Sequence, residues 1–415
     1  MSSSNQVRII AVPESTYGLT PALDVSTVVH PMRHVSESLS GTPQTTESQE
    51  SRSDRMSGGQ VVTGVNSGGD VSGELSQSDA FDFFLSMAMM SQWQEELALA
   101  GTHAATHTKD LTNPQLATLT VTGLDIDNVD GAGGVLAVGE LIVVSGFVNA
   151  ANNGPRQVTA LTVPNTLQIT VPRESVDETA VAVTLSVPAY LDIGEETISA
   201  TLSKAYEDVT HEATTNEHSQ RYTGALVNQL SVNLSWGAIC TESLTFVANG
   251  YLQEAPSLRQ QIEAGGGTVP PASTDQPLNG SVDMPMVTVD GEPTDYCIES
   301  LTFTLNNNLT PQNCLGKIAP TKYSAGTAAI AVTANIYLGD PSYDAFMPKK
   351  LTLQPVSMMF AAVNLDGGYA FDFRAVQLSF PDPANGGKDT QVMINATGVA
   401  KVGPDGTSAL RIYRL

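Results

Sequence analysis

The stretch "ALVNQLSVNLSWGAICTESLTF" (residues 225–246) decides the fold class. Apolar and polar residues alternate in its first half, so that Leu230, Val232 and Leu234 would share one face of an extended strand. In its second half the same spacing places Leu244 and Phe246 on one face. A period of two is typical of a strand that buries one side. The stretch therefore predicts β-structure rather than helix.

A close copy of the end of this stretch occurs later in the chain. "CTESLTF" (240–246) is followed by "CIESLTF" (297–303), and each copy would place its Cys, Glu, Leu and Phe on one strand face. The echo is interpreted as two related strands of one sheet, with chance repetition as the alternative. Alternating or apolar strand-length segments continue to the last residues, and they predict a mainly β chain.

Charge is the most unusual property of the composition. The 415 residues include 43 acidic and 19 basic ones, a formal net charge of −24, although only 15% of the residues are charged. A surface of this sign repels phosphates, which disfavours sequence-reading or backbone-gripping contact with nucleic acid. The excess of acidic residues is consistent with an ordinary acidic soluble protein. It is equally consistent with a surface along which nucleic acid slides without binding.

Three cysteines, Cys240, Cys297 and Cys314, do not suggest a disulfide framework, and folding in a reducing cytoplasm is expected. No basic segment followed by an apolar one marks a secretion signal. The longest apolar runs have strand length, so no membrane-spanning helix is expected.

One convincing helix is predicted, at about residues 79–97. Ser78 is a suitable N-cap residue, and Phe81, Leu85 and Trp93 belong to an apolar stripe at helical spacing. "PSYDAFMP" (341–348) is predicted to form one helical turn.

Three further segments stand out. "QVVTGV" and "DVSGEL" flank the turn-forming "NSGG" (66–69), which predicts a hairpin there. Residues 115–190 contain about five short strands separated by turns, typical of a small inserted barrel, roll or sandwich. The Gly- and Pro-rich segment 253–292 is interpreted as an exposed loop.

The first strand-like segment, "VRIIAVP" (7–13), is apolar and stops at a proline before a turn-rich stretch. It is interpreted as a sticky extended arm that pairs with a neighbouring molecule, which would give an edge strand its partner.

The sequence contains partial metal-binding motifs but no complete catalytic or metal-binding motif. His103 and His107 lie at i and i+4 without a third ligand, and "DIDNVDG" (125–131) lacks the later ligands of a calcium loop. We find no phosphate-binding loop, nucleophile elbow or Cys-x-x-Cys pair. Scattered His, Asp and Glu leave open a site assembled in three dimensions, but the expectation is a non-enzyme without cofactor or metal.

Several motifs, in order, resemble those of tail tube proteins from long-tailed, non-contractile (siphovirus-type) bacteriophages. They are "VRIIAVPESTYGLTP" (7–21), "SGELSQSDAFDFFLSMAM" (72–89), "VGELIVVSGFVNAANNGPRQVTAL" (138–161), "LTFTLNNNL" (301–309) and the closing "LRIYRL" (410–415). The resemblance implies a subunit of two packed antiparallel sheets, sandwich- or barrel-like, with one flanking helix and an inserted small β domain.

The resemblance also implies a domain plan. It consists of an N-terminal arm and first strand (1–35), a ring-stacking hairpin or loop (36–78), a flanking helix and joint (79–114), an inserted β domain on the tube exterior (115–192), and the remainder of the tube-forming β domain (193–415), with an exposed loop near 253–292.

The function implied is structural. Six copies would form a ring, and rings would stack into the tail tube through which the genome is ejected, with DNA passing the lumen unbound and no membrane insertion. The implied partners are further copies of the chain, a tape measure protein inside the tube, and the tail tip or baseplate and tail terminator proteins. The location implied is the virion tail, after assembly in the host cytoplasm.

Contact and lumen residues follow as expectations from this role. An acidic lumen wall would repel phosphates at short range, since screening limits such fields to about 8 Å at physiological salt. The candidates for contacts between subunits or rings are Val7, Ile9, Tyr17, Glu47, Glu50, Arg52, Asp54 and Arg55, and the candidates for acidic lumen residues are Glu242 and Glu299.

Other functions are less well supported. Another virion protein or a type VI-like tube protein would share parts of the pattern. A multi-domain β adhesin or binding protein would usually bring an export signal and clustered aromatic residues, whereas aromatic residues make up 6% of this chain. A β-rich hydrolase is neither supported nor strictly excluded.

Overall fold

The computed structural model describes residues 3–50, 59–98, 102–129, 135–211, 214–294, 296–383, 387–403 and 406–415. The protein is mainly β, and its strands pair antiparallel throughout these residues, which confirms the predicted fold class. The N-terminal part forms β1 (Val7–Pro13), β2 (His30–Met32), β3 (Ser36–Glu37), β4 (Ser40–Glu47), β5 (Gln60–Glu74) and α1 (Asp79–Met89).

The middle of the chain forms a small barrel. Its strands are β6 (Leu97–Ala98), β7 (His103–Lys109), β8 (Leu116–Val121), β9 (Leu141–Ser145), β10 (Gly154–Thr162), β11 (Thr166–Thr170) and β12 (Glu178–Val187). Six of them close in the order β12-β7-β8-β11-β10-β9, with β9 pairing back to β12, and β6 adds to β12. The barrel includes β7, which lies in the segment that was interpreted as a joint.

The remaining strands build the body of the protein together with β1–β5. They are β13 (Tyr190–Asp192), β14 (Ala200–Thr210), β15 (Glu217–Ser235), β16 (Thr241–Ala248), β17 (Gly250–Glu254), β18 (Met286–Val289), β19 (Glu292–Pro293), β20 (Ile298–Asn306), β21 (Thr310–Gln312), β22 (Lys322–Ser324), β23 (Ala329–Tyr337), β24 (Val356–Asn364), β25 (Gly367–Ser379), β26 (Met393–Ala400) and β27 (Arg411–Arg414). Two short helices interrupt them, α2 (Leu258–Ala264) and α3 (Asp340–Phe346), and α3 confirms the helical turn predicted at 341–348.

Two layers of sheet enclose the main core. One layer runs β5-β16-β15-β20-β23-β26, and the other contains β18, β24, β25 and β27. The end of β25, residues 376–379, also pairs with β26 and so joins the two layers. Phe303 of β20 packs on Phe371 and Phe373 of β25, with ring centroids 5.0 and 5.2 Å apart, so the two layers meet face to face. The two echo segments, in β16 and β20, flank β15 on either side.

The barrel lies on the outer side of the second layer. Met359 and Ala361 of β24 belong to the barrel's core, whereas Met358 and Phe360, at the alternate positions, belong to the main core. This strand is apolar on both faces because both faces are covered. The order of layers is therefore first sheet, main core, second sheet, barrel.

Helix α1 is shorter than predicted. Its N-terminus is capped as expected, since Ser78 Oγ accepts a hydrogen bond from the backbone N–H of Phe81 at 3.2 Å. The helix ends at Met89 because Met90 adopts a left-handed conformation with φ of 52°. Trp93 then folds back, and its indole N–H donates to the carbonyl of Asp82 at 3.1 Å.

The interpretation of β1 as an extended arm that pairs with a neighbouring molecule is wrong. β1 pairs with β14 on one side and with β2 on the other. Its alternate residues enter two different cores, Ile9 and Ala11 in the main core and Ile10 and Val12 against α2. A strand buried on both faces reads as a continuous apolar run, which explains the stickiness of this segment.

The hairpin predicted around "NSGG" is also wrong, because residues 60–74 are one continuous strand. The hairpin forms instead between β4 and β5. Gly68 lies opposite Val247 of β16 with φ of 137°, and a Cβ built on it would lie 2.2 Å from the carbonyl oxygen of Phe246. Glycine is required here for the close approach of two strands and not for a turn.

Part of the predicted loop at 253–292 is folded. Ser257 caps α2 in a capping box with Gln260, and Leu258 and Ile262, one helical turn apart, are completely buried. They pack on the outer face of β1, so this face of β1 is covered by its own chain.

Candidate functional surfaces

The first sheet presents a broad polar face on the side away from the core. Because side chains alternate along each strand, every row of apolar residues inside has a row of polar residues outside. One inner row crosses five strands and is buried throughout: Val71, Leu244, Leu230, Leu305 and Ile330. The neighbouring outer row, in register across seven strands, is Glu74, Thr241, Asn233, Thr302, Thr333, Thr397 and Ser379.

Neighbouring outer rows have the same chemistry. One contains Ser36, Ser72, Ser243, Ser231, Thr304, Ala331, Val399 and Gln377, and another contains Ser235, Ser300, Asn335 and Asn395. Hydroxyls and amides dominate these rows, and many of them bond to one another.

Cross-strand hydrogen bonds hold this face together. Thr302 Oγ1 donates to Asn233 Oδ1 at 3.0 Å, and Asn335 Nδ2 donates to Ser300 Oγ at 2.9 Å. At the β5 edge, Thr245 Oγ1 donates to Asp70 Oδ1 at 2.6 Å. Polar groups that are satisfied laterally have less capacity to bind a passing solute.

This polar face lacks positive charge. No Lys or Arg occurs in β5, β16, β20, β23 or β26, or in residues 229–235 of β15. The acidic residues of β5 on this face are Asp70 and Glu74. Arg33 lies at the β5 edge, where its guanidinium is 4.0 Å from the carboxylate of Glu74. Along the strands of the face a polyanion would find hydroxyls and amides, whereas ion pairs supply most non-specific affinity for nucleic acid.

The two acidic lumen candidates occupy different environments. Glu242 lies in the inner row between Val232 and Gly73 and is 6% exposed, so its carboxyl group is enclosed within the protein and does not belong to the polar face. Burial raises the pKa of Glu242 to about 8. Glu299 is half-buried at the end of β20 and accepts a hydrogen bond from the Tyr337 hydroxyl at 3.1 Å.

Gly73 explains how the sheet accommodates Glu242. A Cβ on Gly73 would lie 2.7 Å from Oε1 of Glu242, so the missing side chain leaves room for the carboxyl group. The other carboxyl oxygen, Oε2, has no hydrogen-bond partner. An unpaired buried carboxyl is stable only when it is protonated, which agrees with the direction of the pKa shift.

The N-terminal contact candidates lie within the protein's own structure. Ile9 is fully buried and Val7 is half-buried, and both belong to the strand that pairs with β14, so the Ile9 side chain offers no surface to a neighbouring copy. Tyr17 is half-buried as well, and its hydroxyl is enclosed close to Tyr323. Burial raises the pKa of Tyr17.

Glu14, in the motif "VPESTYG", has a structural role that sequence reasoning missed. Its carboxylate accepts four hydrogen bonds, from the Ser199 and Thr201 hydroxyls and from the backbone N–H groups of Gly18 and Gly224. The bonds fix the chain reversal after β1 onto β14 and β15.

The β4–β5 hairpin projects beyond the sheet. Glu47, at the end of β4, and Glu50 lie on this exposed hairpin, whereas Arg52, Asp54 and Arg55 lie outside the described residues. The loop between β21 and β22 packs beside the hairpin, since the backbone N–H of Val65 donates to the carbonyl of Ile318 at 2.6 Å. A cleft of about 480 Å³ lies between hairpin and loop.

The barrel holds the two histidines that were considered as metal ligands. They lie on strand β7, and His107 is fully buried against Phe147, with ring centroids 5.7 Å apart. Among the described residues, no group of three or more His, Cys, Asp or Glu side chains is arranged to hold a metal ion. In the same part of the chain, no helix is long and apolar enough to cross a membrane.

Comparison with known proteins gives one family. The sequence model of the family described as "Phage tail tube protein" matches residues 4–400, which is nearly the whole chain. No curated protein matches the chain.

Proposed function

The chain belongs to the phage tail tube protein family, and we propose that six copies close into a ring and that rings stack into a conduit for the viral genome. Family membership makes it a structural component of the virion tail that assembles into a tube with other tail proteins. We further propose that the ring contains six copies, that DNA passes through it, and that the tail is non-contractile.

The observation that carries the proposal is the polar face of the first sheet, which we assign to the lumen. It is wide, regular and free of Lys and Arg over six neighbouring strands. A wall of this kind gives phosphates no fixed cation to bind, so DNA can slide.

The proposed lining differs from the acidic wall expected from the net charge. Glu242 points into the core, and the outer rows are mostly neutral, so repulsion would come from Asp70, Glu74 and Glu299 near the margins. In this proposal the lining is non-binding chiefly because it lacks cations, and only secondarily because it is negative.

The order of layers supports an exterior position for the barrel. The polar face and the barrel lie on opposite sides of the body, separated by the first sheet, the main core and the second sheet. If the polar face lines the lumen, the barrel projects outward. The β4–β5 hairpin, at one end of the sheet, would then contact the next ring.

The remaining partners follow from this arrangement. During assembly, the lumen would enclose a tape measure protein. The tube would begin on a tail tip or baseplate and end at a terminator protein, and it would assemble in the host cytoplasm. None of these steps requires a catalytic residue of this chain.

The test introduces positive charge into the polar face. Thr302→Lys and Thr333→Lys should leave tubes intact by electron microscopy but slow genome release from assembled virions. Thr302→Gln and Thr333→Gln, long but neutral, serve as matched controls. Genome release at the wild-type rate from both lysine variants would contradict the assignment of this face to the lumen.

A further inference from the structure

We infer that the exposed Trp236 of one copy inserts into the cleft between the β4–β5 hairpin and the β21–β22 loop of a second copy. This contact would join successive rings head to tail. The inference rests on the proposed function, because it names the surfaces through which the proposed rings would stack.

The two surfaces lie at opposite ends of the first sheet. Trp236 is in the turn between β15 and β16, next to the start of β20, and its backbone N–H donates to the carbonyl of Glu299 at 2.9 Å. The β21–β22 loop follows the other end of β20. β20 has nine residues, so the two ends are about 30 Å apart.

The turn that holds Trp236 is exposed and apolar. Trp236 is 73% exposed, and Ile239 and Val282 beside it are exposed too. Tryptophan is the side chain most often found as an energetic anchor of a protein interface. A large exposed indole, with an apolar body and one hydrogen-bond donor, is suited to anchor such a contact.

The turn is also rigid. Segment 278–283 braces it through a hydrogen bond from the N–H of Gly237 to Ser281 Oγ at 2.7 Å and through another from the N–H of Gly280 to the carbonyl of Ala238 at 3.0 Å. An anchor that is fixed before binding loses little conformational entropy when it docks.

The cleft at the other end combines polar walls, which include Gln44, Asn66 and Asn313, with apolar side chains of the β21–β22 loop. Leu315 and Ile318 of the β21–β22 loop are exposed, and so are Val61 and Val62 of the adjoining hairpin. The cleft, about 480 Å³, falls within the range of pockets that hold compact apolar groups. Hairpin and loop are joined by the bond between Val65 and Ile318, so the cleft exists before docking.

Charge complements shape in this pairing. In a chain of net charge −24, residues 300–339 contain no Asp or Glu and include Lys317 and Lys322, which flank the cleft loop. At the tryptophan end, segments 235–240, 278–283 and 297–300 contain no Lys or Arg and include Asp283 and Glu299. The hairpin continues beyond the cleft to Glu47 and Glu50, so the charge opposite to that of the tryptophan turn lies on the β21–β22 loop. Opposite charges on this loop and on the tryptophan turn favour head-to-tail contact.

A contact between two different surfaces of identical copies repeats without limit along an axis. The geometry therefore produces an open stack of rings rather than a closed pair. Each contact uses the Trp236 turn of one copy and the cleft of another. Damage to one of these surfaces should therefore leave the other surface of the same copy able to bind.

This property supplies the test. Trp236→Ala disables one end and Ile318→Asp the other, so each variant alone should form rings that do not stack. A mixture of the two should form pairs of rings, because the intact cleft of the first variant receives the intact Trp236 of the second. Leu111→Ala and Leu111→Asp, at a fully exposed leucine of the barrel, are the matched controls and should form normal tubes.

The outcomes separate the inference from the proposed function. Wild-type-length tubes from Trp236→Ala, or a mixture without paired rings, would overturn the inference and leave the ring proposal standing. Failure of the wild-type protein to form rings under any assembly condition would overturn the proposed function itself. Circular dichroism of each variant establishes that it is folded before the comparison is made.

The native cysteines provide a second readout that needs no damaging substitution. Cys297 lies beside the Trp236 turn and Cys314 lines the cleft, and both are exposed, whereas Cys240 is buried. A short bis-maleimide should join Cys297 to Cys314 between copies in assembled tubes and not in isolated rings. Crosslinked peptides that contain only Cys314–Cys314 pairs would contradict the head-to-tail contact.

Discussion

Oε1 of Glu14 accepts a hydrogen bond from the backbone N–H of Gly224 at 2.9 Å, and this contact ties the end of β1 to β15 across 210 residues of sequence. The same carboxylate accepts three further bonds, from Ser199, Thr201 and Gly18. We expect Glu14→Ala to lower the free energy of unfolding by about 2–3 kcal/mol, because it leaves several donors without an acceptor. Urea denaturation measures the change.

Glu174→Ala is the control for this prediction, since Glu174 is an exposed acid of the barrel. It should change the free energy of unfolding by less than about 0.5 kcal/mol. Equal losses from both substitutions would show that Glu14 contributes charge alone and not a hydrogen-bond network.

The stability of the protein should depend on pH through Glu242. Burial raises the pKa of this carboxyl to about 8, whereas an unfolded chain has an ordinary glutamate pKa near 4.5. The unfolded state therefore releases this proton at lower pH than the folded state does. The free energy of unfolding should fall as pH rises from about 4.5 to 8, with each unit of displacement worth about 1.4 kcal/mol.

Glu242→Gln isolates this effect. The variant keeps the shape of the side chain but cannot ionise, so it should lose the Glu242 part of the pH slope and be more stable than the wild type at pH 8. Asp372, whose pKa burial raises to about 7, contributes its own slope to both proteins and cancels in the comparison. Identical pH profiles would contradict the burial of Glu242.

Gly68 should tolerate no side chain. Gly68→Ala would place Cβ 2.2 Å from the carbonyl oxygen of Phe246, so β5 and β16 would have to separate. Gly291→Ala is the matched control, because Gly291 also has positive φ, 77°, but open space around its Cβ position. The control should lose about 1–2 kcal/mol through backbone strain alone. Thermal unfolding of Gly68→Ala should show a clearly larger loss than the control.

The hydroxyl of Tyr369 should stabilise the attachment of α1 to the second sheet. It donates to Asp82 Oδ1 at 2.7 Å, and Arg414 Nη1 donates to Oδ2 of the same carboxylate at 3.0 Å. Tyr369→Phe should cost about 1.5–3 kcal/mol, because the lost bond is to a charged and buried group. Tyr343→Phe, at a half-exposed tyrosine, should be neutral in the same denaturation experiment.

Local sequence patterns were sufficient to predict much of the fold. Alternation around Leu230 and Leu244 predicted the strands that form the first sheet, and Ser78 predicted the start of α1. These predictions succeeded because the period of a half-buried strand and the cap of a helix are properties of a few consecutive residues. The polar face could have been found in the same way, since its Ser, Thr and Asn residues are the alternate members of the same strands.

Predictions failed where distant segments determine the environment. The apolar run of β1 reads the same whether a neighbour or its own chain covers it, and only the packing of α2 on Ile10 and Val12 shows which applies. "NSGG" has the composition of a turn, but β16 alongside makes Gly68 part of a strand. Glu242 shares a strand face with Leu244 and Phe246, so alternation already places it on the apolar side, but only Gly73 and Val232 beside it show that a carboxyl group fits there.

By itself, the sequence determined the β class, the high negative charge and the family, because these depend on composition, local period and the order of motifs. The tertiary structure decided which polar residues share one cation-free face, which acid is buried, and that Trp236 and the Ile318 cleft lie at opposite ends of one sheet. The physical reason is that strand register and layer order arise from contacts between residues far apart in the chain.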